Sequence, residues 1–145
     1  MNCKNRKNGF TLIEVLIAVI FIGLAIAALV GGNSAFTRAN AVANEMSTAE
    51  FLTEQIREGT ALMVYTALPA LNNVTYSPPV NAEGSPLSGF AAYSQKIKVE
   101  YVNNTDFTQV QGSDENFIRV TVRIYLGARE LSSTSWIRAK YTAGT

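Results

Sequence analysis

Phe10-Thr11-Leu12-Ile13-Glu14-Val15-Leu16-Ile17-Ala18-Val19-Ile20-Phe21-Ile22-Gly23-Leu24-Ala25-Ile26-Ala27-Ala28-Leu29-Val30 contains a single ionisable side chain, Glu14. Wound as a helix, the stretch rises about 32 Å, enough to cross a hydrocarbon core of about 30 Å. A soluble helix carries its apolar residues on one stripe, whereas this one is apolar on every face. It is either a membrane span or a helix that other protein buries all round. Lys4, Arg6 and Lys7 precede it, and no acid occurs among the first nine residues. The positive-inside rule keeps that end cytoplasmic and translocates the chain beyond Val30. A cleaved secretory signal is the competing reading, with Ala25-Ile26-Ala27 as a small-residue cleavage triplet. Such signals have an apolar region of about 7–15 residues and exclude a carboxylate, so the span is preferred.

The rest of the composition narrows the function classes. Of 145 residues, 48% are hydrophobic and 16% charged, against a typical charged share of about 25%, which excludes a strongly disordered chain. Twelve basic against eleven acidic side chains give +1, too balanced for nucleic-acid binding by mass electrostatics. Histidine is absent, which removes the commonest general base and metal ligand. Cys3 is the lone cysteine, so no internal disulfide can form.

Glu14 sits in a segment where a central carboxylate costs roughly 2.5–3.5 kcal/mol, reduced near the cytoplasmic end by snorkelling. A functional partner is therefore expected for it. With the basic leader, Gly9-Phe10-Thr11-Leu12-Ile13-Glu14-Val15-Leu16-Ile17-Ala18 resembles the prepilin signature of type IV pilins and type II secretion pseudopilins. The resemblance covers roughly the first thirty residues. It implies that a prepilin peptidase cuts between Gly9 and Phe10 on the cytoplasmic face of a bacterial inner membrane and N-methylates Phe10. It further implies that Glu14 faces the terminal amine of a neighbouring subunit when the helices bundle into a pilus or pseudopilus. Losing Lys4, Arg6 and Lys7 takes the basic count from twelve to nine against eleven acids, a formal −2. Cys3 leaves with them, and a mature chain without cysteine departs from the disulfide-looped major pilins. The resemblance thus points to a minor pilin or pseudopilin.

Beyond the span, Phe36, Ala39, Val42/Ala43, Met46, Ala49, Leu52 and Ile56 recur at spacings of three and four, predicting an amphipathic helix. Arg38, Asn40, Glu45, Glu50, Glu54 and Arg57 fall on its other surface. Gly59 is the expected C-cap, and Gly31-Gly32 is expected to soften the helix. One helix, Phe10 to Glu58, is predicted. Ala61–Leu71 reads as a short helix or the start of a loop. Asn72 to Gly89, with Pro78-Pro79, Gly84 and Pro86, reads as an exposed loop. The C-terminal third switches to period two. Lys96–Val102 puts Ile97, Val99 and Tyr101 on one face, and Asn116–Leu126 turns Ile118, Val120, Val122 and Ile124 inward. Ser132–Tyr141 reads as a third strand with Ile137, Ala139 and Tyr141 together. The expected fold is α+β and pilin-like, a long N-terminal helix packed on a small antiparallel sheet of three or four short strands. Its segments are a removed leader (1–9), the transmembrane half of the helix (10–31) and a periplasmic globular domain (32–145).

No catalytic residue, cofactor or metal ligand emerges. Serine chemistry lacks a histidine base. Asn103, Asn104, Asp106, Asp114 and Glu115 match no EF-hand spacing and read as solvated turn residues. Arg119, Arg123, Arg129, Arg138 and Lys140 read as a solvated sheet face rather than a nucleic-acid contact. The function expected is a structural filament subunit, not an enzyme. Its partners are other pilin subunits through the helix, prepilin peptidase and inner-membrane assembly machinery. The rival reading is a single-pass, membrane-anchored periplasmic binding module that never polymerises.

Overall fold

No proline occurs before Pro69, so nothing in the backbone chemistry interrupts a helix begun after Phe10. In the computed structural model, which describes residues 10–141, α1 accordingly runs from Leu12 to Leu62. The expected softening at Gly31-Gly32 does not break it. Hydroxyls reinforce the carbonyl side of these turns, with Ser34 Oγ donating to the Gly31 carbonyl at 2.9 Å and Thr37 Oγ1 to that of Asn33 at 3.0 Å. The chain divides into two compact units, residues 1–42 and 43–145.

In the second unit, the C-terminal turns of α1 lie on an antiparallel sheet. Its strands are β1 (Thr75–Tyr76), β2 (Tyr93–Val102), β3 (Val110–Gln111), β4 (Phe117–Leu126) and β5 (Arg129–Ala139). The order is β1-β2-β4-β5, with β3 also paired to β2. Ala49, Leu52 and Ile56 pack against Ile97, Val99, Ile118, Val120, Val122 and Ile124 in one buried cluster. Each buried Leu or Ile contributes about 1.5–3 kcal/mol relative to exposure. The architecture is the α+β, pilin-like one expected from the sequence, with five strands rather than three or four. The α1 stripe is covered from Ala49 onward only. Phe36 (66% exposed), Val42 (49%) and Met46 (49%) remain accessible, because periodicity reports which face is apolar and not what covers it.

Several inward positions differ from expectation for the same reason, that polar groups occupy them. Gln95, on the helix side of β2, is fully buried. Its Oε1 accepts from the Val80 amide at 2.8 Å, and its Nε2 donates to the carbonyls of Leu52 (2.9 Å) and Val80 (3.1 Å). Val80 is thereby drawn into the core, although its Pro- and Gly-rich surroundings read as an exposed loop. On β5 the inward face carries Trp136 and Arg138, opposite Val120 and Ile118. Ile137 lies opposite Arg119 on the other face, and Tyr141 lies past the strand, 88% exposed. The face marked by Ile137, Ala139 and Tyr141 is therefore not the inward one. Arg138 turns inward because its guanidinium donates to the Thr60 and Met63 carbonyls at 2.6 and 3.3 Å, at the C-terminal end of α1, where carbonyls run short of backbone donors.

Gly59 is not a C-cap either, since the helix continues to Leu62. A Cβ there would stand 2.8 Å from the Ala82 carbonyl oxygen, so the glycine lets the 79–86 loop approach the helix backbone. Gln55 Oε1 holds the same loop by accepting from the Ala82 amide at 3.2 Å.

Two substitutions test these contacts in chemical denaturation. Gly59→Ala favours an isolated helix by about 1 kcal/mol, yet here it should destabilise by about 1–3 kcal/mol because backbone must move. Gln95→Leu, close in size, should cost about 3 kcal/mol by stranding the Val80 amide and carbonyl. A neutral result for Gln95→Leu would mean that the two bonds to Val80 do not hold the loop.

Candidate processing and assembly site

The helix begins where its own side chains can close it. Thr11 is the last non-helical residue before α1, and the Glu14 amide donates to Thr11 Oγ1 at 3.3 Å. Glu14 Oε2 reaches back to the Thr11 amide at 3.5 Å, completing the reciprocal pattern of a capping box. The Glu14 and Val15 amides also donate to the Thr11 carbonyl at 3.1 and 3.2 Å. The carboxylate is therefore held against the positive end of the helix. Phe10 precedes the helix, non-helical and 81% exposed. Gly9, its expected cleavage partner, lies outside the described residues. Thr11-Leu12-Ile13-Glu14 is a Thr-x-x-Glu signature that announces the cap, and reading Glu14 only as a charge in an apolar segment misses it.

Beyond the cap, α1 presents apolar surface all round. Leu12, Ile13, Val15, Leu16, Ile17, Val19, Ile20 and the rest through Val30 are all exposed. This helix is long and apolar enough to cross a membrane.

In the second unit, the acidic residues of the 103–115 loop and Asn103 are engaged by donors of the loop itself and, at Asp114, by Tyr65, Asn116 and Lys140. Asp106 Oδ1 accepts from the Thr108 amide and hydroxyl at 3.0 and 2.6 Å, and these bonds hold its carboxyl below the usual range. Asn103 Oδ1 accepts from the Thr105 and Asp106 amides, and Glu115 Oε2 from that of Asn104. Asp114 Oδ1 accepts from the Tyr65 hydroxyl at 2.7 Å and the Asn116 amide at 2.8 Å, while Lys140 Nζ lies 3.1 Å from Oδ2. The tyrosine bond leads in lowering the Asp114 carboxyl. Burial, then the same bond, raises the Tyr65 hydroxyl.

The five basic residues expected on a solvated face are mostly spoken for. Arg119 bonds Glu100 at 3.1 Å, Arg129 bonds Glu45 at 2.5 Å, Arg138 serves the helix end and Lys140 serves Asp114. Arg123 alone of the five has no ion pair or side-chain hydrogen bond among the described residues.

Set beside known families, residues 4–31 match the model described as the prokaryotic N-terminal methylation motif. That match marks a type IV prepilin-like leader, and the motif belongs to structural pilin precursors rather than to enzymes. Comparison with curated proteins and with solved structures gave no match.

The cap makes its own prediction. Thr11→Val removes the hydroxyl acceptor and should weaken the first turn by about 1 kcal/mol. Faster amide hydrogen exchange at Glu14 and Val15 in detergent micelles would show it, and unchanged exchange would remove the hydroxyl from the cap.

Proposed function

We propose that the chain is the precursor of a filament subunit, a minor pilin or type II secretion pseudopilin, cleaved after Gly9 and N-methylated at Phe10. The observation that carries this reading is the methylation-motif match over residues 4–31, in which Gly9 and Phe10 lead into a helix with Glu14 in its first turn. Mere anchoring needs an apolar span and no such arrangement. The surface from Leu12 to Val30 suits storage in the inner membrane and later burial against other α1 helices, which replaces lipid by protein. The basic leader stays cytoplasmic and the second unit is periplasmic.

Glu14 takes the register role in this scheme. In a filament core of low dielectric an unpaired carboxylate is costly, whereas one facing the methylated amine of a neighbour is tolerated, and a one-turn slip separates the charges. The absence of cysteine beyond Cys3 supports a minor rather than a disulfide-looped major subunit.

Intact mass of the chain recovered from membranes of a host with prepilin peptidase tests the first step. Loss of residues 1–9 together with gain of one methyl group is expected. An uncut, unmethylated chain would overturn the assignment in favour of a membrane-anchored module. Glu14→Ala should insert normally yet enter filaments more than about tenfold less, as expected when one partner of a buried pair is removed. Normal incorporation would exclude the register role.

A further inference from the structure

The sheet face turned away from α1 carries an unbalanced charge. Outward positions of β2 and β4 pair as Ser94 with Tyr125, Lys96 with Arg123, Lys98 with Thr121 and Glu100 with Arg119. On β2 and β4 four cations thus share this face with one carboxylate, and Glu130 of β5, opposite Tyr125, adds a second. Glu100 takes two of them, lying 2.7 Å from Lys98 Nζ and 3.1 Å from Arg119. Lys96 and Arg123 stand directly opposite each other on neighbouring strands, the arrangement in which like charges repel. Among the described residues neither forms an ion pair.

These two cations are also part of a concavity. Asn73, Lys96, Lys98, Thr121 and Arg123 line a surface pocket of about 210 Å³, with no acidic and no aliphatic side chain among them. Asn73 reaches this position from a left-handed turn (φ 61°) just before β1, and Thr75 of β1 pairs with Lys96. Every lining side chain offers a hydrogen-bond donor: an amide, a hydroxyl, two ammonium groups and a planar guanidinium. A guanidinium binds two oxygens of one oxyanion with parallel N–H bonds, and ammonium groups supply compact charge beside it. The space accommodates a tetrahedral oxyanion with several waters, each about 30 Å³.

We propose that this pocket binds a phosphoryl-type oxyanion, with Arg123 and Lys96 as its principal charges, Lys98 shared with Glu100, and Thr121 and Asn73 as neutral donors. The pocket takes no residue from α1, the helix through which the proposed filament packs. An anion between Lys96 and Arg123 turns their repulsion into two attractions.

The test is amide NMR of the full chain in uncharged detergent micelles at low salt, titrated with inorganic phosphate, with chloride at matched ionic strength as the reference. Saturable shifts confined to residues 73, 96, 98, 121 and 123 are expected. Lys96→Gln with Arg123→Gln should weaken binding about tenfold or more, while Arg38→Gln with Arg57→Gln, which removes the same charge from α1, should leave it unchanged. Parallel titrations with a dinucleotide and with a short-chain phosphatidylglycerol identify the source. Preference for inorganic phosphate assigns a free or monoester phosphate, and preference for either diester assigns that ester, all within the proposal. Absence of a saturable response to all three, shifts equal to those of chloride, or equal binding by the Lys96/Arg123 variant with its fold intact would overturn it.

Discussion

A run from Phe10 to Val30 with one charge must be kept from water, and most of this chain's organisation stems from that requirement. Leu12, Leu24 and Leu29 point to different sides of α1, and each is more than half exposed. No single partner surface covers all of them, so the environment must surround the helix, as lipid does or as a bundle of like helices does. Exchange between two apolar surroundings releases little hydrophobic free energy, because lipid tails are as apolar as the side chains. In the assembly proposed above, specific polar contacts would then decide the register, with Glu14, the one ionisable side chain in the run, supplying them. The capping box gives that carboxylate a partner within its own chain, which lowers the cost of holding it in the apolar segment before any neighbour arrives.

The second unit solves a different problem, joining a helix, an irregular loop and a sheet with few buried polar groups. Aliphatic packing of Leu52 and Ile56 on Val120 and Val122 supplies most of the free energy but tolerates sliding, since such contacts are non-directional. Gln95 and Arg138 remove that freedom. Gln95 ties β2 to the Leu52 carbonyl and to the Val80 loop, and Arg138 ties β5 to the end of α1. Each satisfies backbone groups that would otherwise be costly to bury. Gly59 acts in the same place by omission, since its missing side chain leaves room for the Ala82 carbonyl.

The parts legible in the sequence are those where one physical signal speaks alone. An apolar run without proline specifies a helix whatever its surroundings, and Ile118, Val120, Val122 and Ile124 alternate with polar residues without exception. The signature Gly9-Phe10 with Glu14 is readable for the same reason, as a fixed spacing of chemically distinct groups. The illegible parts depend on tertiary partners. Arg138 looks solvent-facing until the end of α1 is known to need donors, and that inverts the reading of β5. Gln95 and Val80 look like a polar strand residue and a loop residue until they are seen bonding each other. Gly59 reads as a terminator because local rules contain no term for a carbonyl arriving from residue 82. The Thr11–Glu14 cap is a separate case. It is legible locally, yet membrane insertion offers another account of the same acid and hides it.

Charge on the outer sheet face shows where stability ceases to explain a sequence. A like-charged cross-strand pair such as Lys96 and Arg123 costs on the order of 0.2–1 kcal/mol, a small fraction of what the buried aliphatic cluster contributes. Folding can therefore carry the pair, yet it gains nothing from it. Farther along the same two strands, Glu100 stands opposite Arg119 and within reach of Lys98, which shows that a carboxylate fits this face and binds its cations. Arg129, Arg138 and Lys140 likewise each find an acceptor within the second unit. Against that background a Lys96–Arg123 couple without an ion pair among the described residues, set in a donor-lined pocket, departs from the pattern of the second unit.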